Sequence, residues 1–485
     1  MAHRHVSIMT LVGIMIGLAG CVNLGPNFHP PDLKASVPAA YQHEEPVDAL
    51  PVPDDRWWEI FGDPELNRLV DTVIERNWDI REAAERAMEI HARYVQARSD
   101  RFPRIGADGA YSRRRIGGSQ VARAITVDDY DVFAGAVYEV DLWGRLARTA
   151  KAAWQDALEA EANRLTVAQS IVAEAINLYL QIEATERRLQ IARLSVSNFR
   201  KSLDFVGIRY RRGLISVLDV RQARRVLAEA EARIPELQQE LGILQQQLAV
   251  LAGRYPETRQ ERLQPDDYFK RLPPVPPGLP SDLLLRRPDL RAAEARLRAQ
   301  TDRVAAARAA RFPTITLTGD YGYSSDELST LVRPDSVLWN LTLGITQPIF
   351  DAGDLEARQR AEEARLRQEE AAWARAVLTA FSEVEAALLT RKKQLARREG
   401  IRRFVEEARA TQRVAQNRYI RGLINYLDVL DAQQTRFQAE DILILVDLII
   451  LANRVQLHRA LGGGWADPGP ADQSVAVSAS ESKAK

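Results

Sequence analysis

The apolar positions of this chain follow two periods in turn, and they do so twice in the same order. Over residues 65–98 and again over 281–309 they recur at helical spacing, and each stretch runs into a Phe-Pro pair, Phe102-Pro103 and Phe312-Pro313. Proline disfavours helix in the residue before it, so both helices are expected to stop there. Period two then takes over. Tyr130, Val132, Ala134, Ala136, Tyr138 and Val140 alternate with Asp129, Asp131, Gly135, Glu139 and Asp141, with Phe133 and Val137 breaking the polar set. Ile315, Leu317, Tyr321 and Tyr323 alternate with Thr314, Thr316, Thr318 and Asp320, and Trp339, Leu341, Leu343 and Ile345 with Asn340, Thr342 and Thr346. Ile105 to Tyr111 repeats the pattern weakly. These are four strands with one apolar and one polar face.

Each strand pair is followed by a long helical stretch. Arg145 to Val206 holds no Gly and no Pro, and as helix its 62 residues extend about 93 Å. Ile171, Ala175, Leu178, Ile182 and Leu189 keep heptad-like spacing, and alanines crowd both faces, as expected where one helix packs against two neighbours. The second half repeats the stretch from Asp354 to about Tyr419, with Gly400 as one interruption. Both stretches end in a Tyr-x-Arg-Gly turn, at Gly213 and Gly422, followed by Ser216 and Asn425 as N-caps and by Asp219 and Asp428 at the third helical position. Glycine ends a helix cheaply, and Ser-x-x-Asp or Asn-x-x-Asp starts the next. Asp431 lies beyond capping reach, and its counterpart is the neutral Gln222.

The order of signals is a sequence duplication. Ile80–Ser112 aligns with Leu290–Gly322 without a gap at an offset of 210, sharing Arg81/Arg291, Arg101/Arg311, Phe102/Phe312, Pro103/Pro313 and Tyr111/Tyr321. Arg209–Val220 aligns with Arg418–Val429 at an offset of 209, so one residue is lost in between. A unit this long is half of a structure rather than a solenoid repeat.

Strands of this length, with aromatics near their ends, suit an outer-membrane barrel. A half-buried sheet on a soluble core shows the same alternation, but no other β-rich region is present for it to pack on. Four strands cannot close a barrel, and lipid tolerates no open edge, so the barrel is shared between chains. Two chains would give eight strands and a nearly filled interior; three would give twelve and a lumen.

The N-terminus adds an address. His3, Arg4 and His5 precede an apolar run from Val6 to Leu18, which is short of a membrane span and suits a secretory signal. It ends Leu18-Ala19-Gly20-Cys21, and Cys21 is the single cysteine in 485 residues. Small residues before a lone cysteine resemble a bacterial lipobox, which makes Cys21 the lipidation site and lipid a partner. The other reading is an ordinary buried cysteine near a conventional cleavage site. Val22 rather than Asp favours export to the outer membrane, by resemblance to bacterial lipoproteins. Lys+Arg and Asp+Glu number 66 each, so no basic excess points to nucleic acid. One cysteine excludes a disulfide framework, and no His-x-x-x-His pair, nucleophile elbow or phosphate loop appears, so no metal, cofactor or enzymatic activity is expected.

Four motifs carry a family resemblance. They are Gly278-Leu-Pro-Ser-Asp-Leu-Leu-Leu-Arg-Arg-Pro-Asp289, Trp57-Trp58-Glu-Ile-Phe61-Gly-Asp63-Pro64, Gln347-Pro348-Ile-Phe350-Asp-Ala-Gly353 and Leu461-Gly-Gly-Gly-Trp465. Together they resemble TolC-like outer-membrane factors of the NodT lipoprotein type, from Cys21 to Trp465. The resemblance implies an α+β membrane protein. Three chains would build a twelve-stranded barrel continued by a periplasmic α-helical barrel, with a mixed equatorial domain around it. It also implies the exit duct of a tripartite efflux pump, a homotrimer joined through a periplasmic adaptor to an inner-membrane transporter. Contacts near the helical tips would hold the periplasmic end closed, and that region matches Tyr419, Arg421, Asn425, Leu427 and Asp431. The exposed tips, Gly213, Leu214, Ser216, Gly422 and Leu423, would meet the adaptor. Copies of Asp431 around the trimer axis would form a charged ring. The strand from Ile105 is less apolar than the family pattern, which leaves its register open.

On this reading the chain divides into a signal peptide (1–20), a lipidated extended segment (21–64), a first repeat (65–253), an equatorial linker (254–280), a second repeat (281–461) and a disordered tail (462–485). The first repeat carries strands at about 104–116 and 129–141 and a tip near 210–219; the second carries strands at about 313–323 and 338–349 and a tip near 419–428. A periplasmic adaptor would show lipoyl-like and small-barrel domains, which are missing. A type I secretion duct for polypeptides shares the fold; the lipobox and the Gly278–Asp289 signature favour small-solute efflux by analogy. The lipobox reading predicts that Cys21→Ser abolishes fatty-acid incorporation, checked by radiolabelling; a variant that labels like wild type overturns it.

Overall fold

The computed structural model describes residues 56–117, 124–257 and 286–463, with positions 25, 26, 28, 31, 41–43 and 272. Cys21, the first eight residues of the Gly278–Asp289 signature, most of the 254–280 linker and the tail from 464 lie outside them. After a 3-10 turn at Trp57–Phe61 come α1 (Pro64–Arg76), α2 (Trp78–Ser99), β1 (Arg104–Ile116), β2 (Ile125–Glu139), α3 (Arg145–Arg211) and α4 (Val217–Leu251). The second half follows with α5 (Pro288–Ala309), β3 (Thr314–Ser325), β4 (Val337–Thr346), α6 (Asp354–Ile420) and α7 (Tyr426–Ala460). The chain divides into two compact units, one of Met1–Leu33, Glu85–Ala162 and Arg291–Arg375, the other of Lys34–Ala84, Asn163–Leu290 and Ala376–Lys485.

The first unit holds a four-stranded antiparallel sheet in the order β1-β2-β3-β4. Its register resolves the weak strand. Ile105 pairs with Ala136, Ala107 with Ala134, Gly109 with Val132 and Tyr111 with Tyr130, a run continuous from Arg104↔Val137 to Ile116↔Ile125. On the next ladders Val132 faces Tyr323, Ala134 faces Tyr321 and Tyr138 faces Leu317, while Tyr321 faces Trp339 and Leu317 faces Leu343. Directly paired residues share a sheet face, so every apolar position of the alternation falls on one side. That side is open in the chain: Trp339 is 74% and Leu341 66% exposed. The opposite face carries Asp108, Asp131, Asp320, Asn340 and Thr342. Tyr111 and Tyr130 lie side by side with centroids 4.8 Å apart, and the Tyr111 hydroxyl donates to Asp128 at 2.9 Å where the apolar face ends.

Strand bounds differ from the alternation for local reasons. β2 begins at Ile125 rather than near 129, because β1 still pairs with it there and Arg113 sits 3.6 Å from Asp128. It ends at Glu139 because Asp141 turns to cap α3, accepting from the Leu146 N–H at 3.1 Å and the Ala147 N–H at 2.7 Å. β4 ends at Thr346, ahead of Pro348, which cannot donate to a ladder. The equivalent of Asp141 is Asp351, which accepts from the Gly353 and Leu355 N–H groups at 2.9 and 3.0 Å. The turn is Asp141-Leu-Trp-Gly144 in the first half and Asp351-Ala-Gly353 in the second, which locates the missing residue. Its shortening puts Ala352 at φ 52°, the one non-glycine with positive φ among the described residues. In the same unit, Arg148 binds Asp302, Arg303 binds Asp156 and Arg296 binds Glu159, each at 2.6 Å, joining the first turns of α3 to α5.

The second unit holds the helical hairpins. Trp57, Trp58 and Phe61 pack into a core with Val70, Ile176, Tyr179, Leu237, Leu248 and Val455. Asp63 caps α1, accepting from the Glu65 N–H at 2.7 Å, and also accepts from the Tyr179 hydroxyl. The single helix expected over 65–98 is two, α1 and α2. Asn77 breaks it: its side-chain Oδ1 accepts from the Asp79 and Ile80 N–H groups at 2.9 and 3.0 Å, and its side-chain Nδ2 donates to Leu251 O at 3.0 Å. Gly400 interrupts nothing, since α6 runs through it. The apolar stretch of α3 that could pass for a membrane span is core, with Val172, Ala175 and Ile176 fully covered. Arg287 of the signature explains its Arg-Pro-Asp: it binds Asp289 at 2.8 Å, Glu383 at 2.7 Å and Ala460 O at 3.1 Å. Burial works to lower its pKa, but the two carboxylates raise it on balance. The open apolar face predicts that Leu341→Arg costs roughly 2–4 kcal/mol in a lipid setting, while Thr342→Arg on the polar face costs little. Urea unfolding from lipid vesicles checks this, and equal midpoints would refute it.

Candidate functional site

The two tips are built alike. Gly213 and Gly422 sit at φ 71° and 76°, and an added Cβ would meet nothing within 4 Å at either, so backbone conformation alone demands glycine. The Leu214 N–H donates to Arg209 O and the Leu423 N–H to Arg418 O, both at 3.0 Å, which satisfies the last carbonyls of α3 and α6. On the other side of the first turn, the Ser216 hydroxyl accepts from the Leu218 N–H at 2.9 Å and Asp219 from the Ser216 N–H at 3.0 Å. On the second, Asp428 accepts from the Asn425 N–H at 3.2 Å.

The tips differ in what covers them. Tyr419 and Tyr426 of the second hairpin are 6% and 3% exposed, with ring centroids 5.4 Å apart. They join one cluster with Phe199, Val206, Val220 and Val226 of the first hairpin. The Arg209 guanidinium lies 4.8 Å from the Tyr419 ring centroid and donates to the Tyr419 carbonyl at 3.1 Å, tying the hairpins by a cation-π contact and a hydrogen bond. Deeper in, Gln433 donates to the Ser202 hydroxyl at 3.3 Å and Phe199 meets Phe437 edge-on at 5.7 Å. Burial raises the Tyr419 pKa, with Arg209 working against the rise and Asp219 adding to it. Burial pushes Tyr426 up to about 12 against the influence of Ser202.

Of the residues singled out in the sequence, Tyr419 alone lies in this buried cluster. Arg421, Asn425, Leu427 and Asp431 are exposed in the chain, as are Gly213, Leu214, Ser216, Gly422 and Leu423. Leu214, Leu218, Leu423 and Leu427 thus leave two equivalent apolar pairs in the open. Sequence reasoning missed Arg209. Its signal was in the repeat, which writes Arg-Tyr twice, at Arg209-Tyr210 and Arg418-Tyr419. Among the described residues, no three of His, Cys, Asp and Glu are grouped as metal ligands.

A family described as outer membrane efflux protein matches the chain twice, over residues 69–254 and 279–463. The pyoverdine export outer membrane protein OpmQ of Pseudomonas putida is 32% identical over 448 residues, 91% of this chain and 95% of that protein. The probable outer membrane lipoprotein SilC of Salmonella typhimurium is 30% identical over 455 residues, 93% of this chain and 97% of that protein. Among solved structures, the outer-membrane channel OprN superposes with a TM-score of 0.84 at 30% identity, covering 91% of this chain and 99% of that one.

The tyrosine pair gives a pH signature. A phenol whose folded pKa is raised from 10 to about 12 contributes stability that is fully present below pH 10 and lost as pH rises through 12. Tyr426→Phe removes that titration. The variant is expected to show a flatter alkaline loss of stability than wild type, measured by denaturant midpoints across this window; parallel curves refute it.

Proposed function

The chain belongs to the outer membrane efflux protein family, and from that membership we propose that three copies close their sheets into one twelve-stranded transmembrane barrel and their hairpins into a periplasmic helical tube. The chain is an outer-membrane efflux channel. The observation that carries the trimeric reading is the register of β1 to β4. It gathers Ile105, Val132, Leu317, Leu343 and their neighbours onto one face and leaves the backbone edges of β1 and β4 to be paired. Three copies give a lumen lined by the Asp- and Thr-bearing face; two copies would fill it with side chains.

The duct would serve a tripartite pump, meeting a periplasmic adaptor through the exposed leucines of the tips and, through it, an inner-membrane transporter. Its cargo would be small solutes; OpmQ is named for pyoverdine export. The strong likeness to efflux channels favours this over a polypeptide duct. A lipid on Cys21 would hold each copy to the membrane.

The gate would lie at the periplasmic tips. Leu427 and Asp431 are four residues apart on one face of α7, so three copies bring an apolar ring and a carboxylate ring toward the axis. Three carboxylates repel one another, attract cations and hold water in a narrow passage. Arg209 on Tyr419 would hold the second hairpin inward against that repulsion, with Arg421 and Asn425 shaping the turn. Opening would need a partner that binds the splayed state better than the closed one. Planar-bilayer recording tests the assignment. Asp431→Ala with Leu427→Ala is expected to raise single-channel conductance and weaken cation preference. Unchanged values would return both residues to the outer surface.

A further inference from the structure

A charge taken out of water is costly unless a partner of opposite sign goes with it. The second unit obeys this at Arg287, which is 8% exposed and held by Asp289 and Glu383. It obeys it again at Asp447, bound by Arg398, and at Glu440, bound by Arg409 and Arg436. Arg454 of α7 departs from the rule. It is 4% exposed, and its Nε and Nη2 make no hydrogen bond. The charge that bears on it is a second cation, Arg391 of α6, which adds to burial in pushing the Arg454 pKa down to about 9. His458, one turn further along α7, is 6% exposed, and its Nε2 is also without a partner. Burial, with Arg454 adding, pushes that imidazole down to about 3, so the ring is neutral at ordinary pH.

The duplication shows what kind of place this is. α6 and α7 follow α3 and α4 at an offset of 209 residues, and Leu248 and Leu457 fill equivalent core positions. Arg391, Arg454 and His458 then correspond to Ile182, Gln245 and Ala249. In the first half those three line a cavity of about 90 Å³, together with Tyr179 and Leu248. The seam between the paired helices thus leaves room at this level in the first half. In the second half the neutral lining is replaced by two guanidiniums and an imidazole. The seam is pinned on either side of Arg391: Asn453 donates to Ala387 O at 3.1 Å, and Arg398 meets Asp447.

We propose that the α6–α7 seam holds a small inorganic anion between Arg454, Arg391 and the Nε2 of His458. The two guanidiniums supply the charge, and the Arg454 N–H groups that meet no other acceptor supply directed, charge-assisted bonds. A neutral imidazole can carry its proton on Nε2 and donate as well. The size of the equivalent cavity admits a single small ion and excludes organic acids and lipid headgroups. The ion would be the counter-charge that lets α6 and α7 close over a buried cation. The site lies within one chain, so it depends neither on the number of copies nor on the barrel.

Unfolding of the full-length protein in detergent tests this, with chloride exchanged for gluconate at constant ionic strength and pH. The thermal midpoint of wild type is expected to rise by roughly 2–4 °C with chloride and then to saturate, because a ligand that binds only the folded state stabilises it. Arg454→Met is expected to be indifferent to chloride, whatever its own midpoint. Arg391→Gln is expected to need roughly tenfold more chloride for half of the rise. A wild-type midpoint that ignores chloride, or one that climbs without saturating and climbs equally in Arg454→Met, overturns the site. Crystals of the wild-type protein grown in bromide give a readout free of any variant. One anomalous peak per chain within hydrogen-bonding distance of Arg454 is expected, and no peak there overturns the proposal.

Discussion

The backbone edges of β1 and β4 are the constraint on which the rest of the chain depends. A sheet with one face of Ile, Leu, Val, Tyr and Trp is made for hydrocarbon, and hydrocarbon supplies no hydrogen bonds to an unpaired strand. Each unpaired backbone group there costs several kcal/mol on the order of a lost buried hydrogen bond, so in the proposed barrel the edge of β1 in one copy would be met by the edge of β4 in the next. The number of copies in that proposed assembly would then fix how many helical hairpins stand side by side.

Duplication solves part of that assembly inside one chain. The β2–β3 ladder joins the first repeat to the second, and Arg209 over Tyr419 does the same at the tips. A cation over an aromatic ring is worth roughly 0.5–1 kcal/mol when exposed and about 2 when desolvated. With Tyr419 buried, the contact lies toward the stronger end. Asp219, by contrast, is spent on capping its own helix, where it accepts from the Ser216 N–H at 3.0 Å.

Much of this was legible in the sequence because it rests on period. The strands were marked by alternation, the hairpins by long runs free of Gly and Pro, and the tips by the repeated Tyr-x-Arg-Gly. What period could not show was set by single side chains. The amphipathic pattern runs on across Asn77, yet one amide ends α1 and starts α2. Gly400 reads as a breaker but faces open space within α6, where the lost propensity of one residue is outweighed by the remaining 66 of its 67 residues. Asp128 extends β2 beyond its alternating core. Arg209 was hidden because the repeat presents two equivalent Arg-Tyr pairs, and sequence alone does not tell which arginine meets which tyrosine.

The lost residue in the strand-to-helix turn has a consequence for how such a chain can change length. α3 and α6 are both 67 residues long, and α4 and α7 both 35, although the halves have otherwise diverged widely. An insertion within a helix would turn everything beyond it by about 100° and push it along by about 1.5 Å, carrying every buried stripe off its partner. The Asp141–Gly144 turn lies ahead of that cumulative rotation, and an aspartate cap at each version restarts the helix in phase. Insertions and deletions are therefore filtered by position: the helices behave as fixed-length rulers, and the evolutionary slack of the molecule resides in the few residues that join them to the strands.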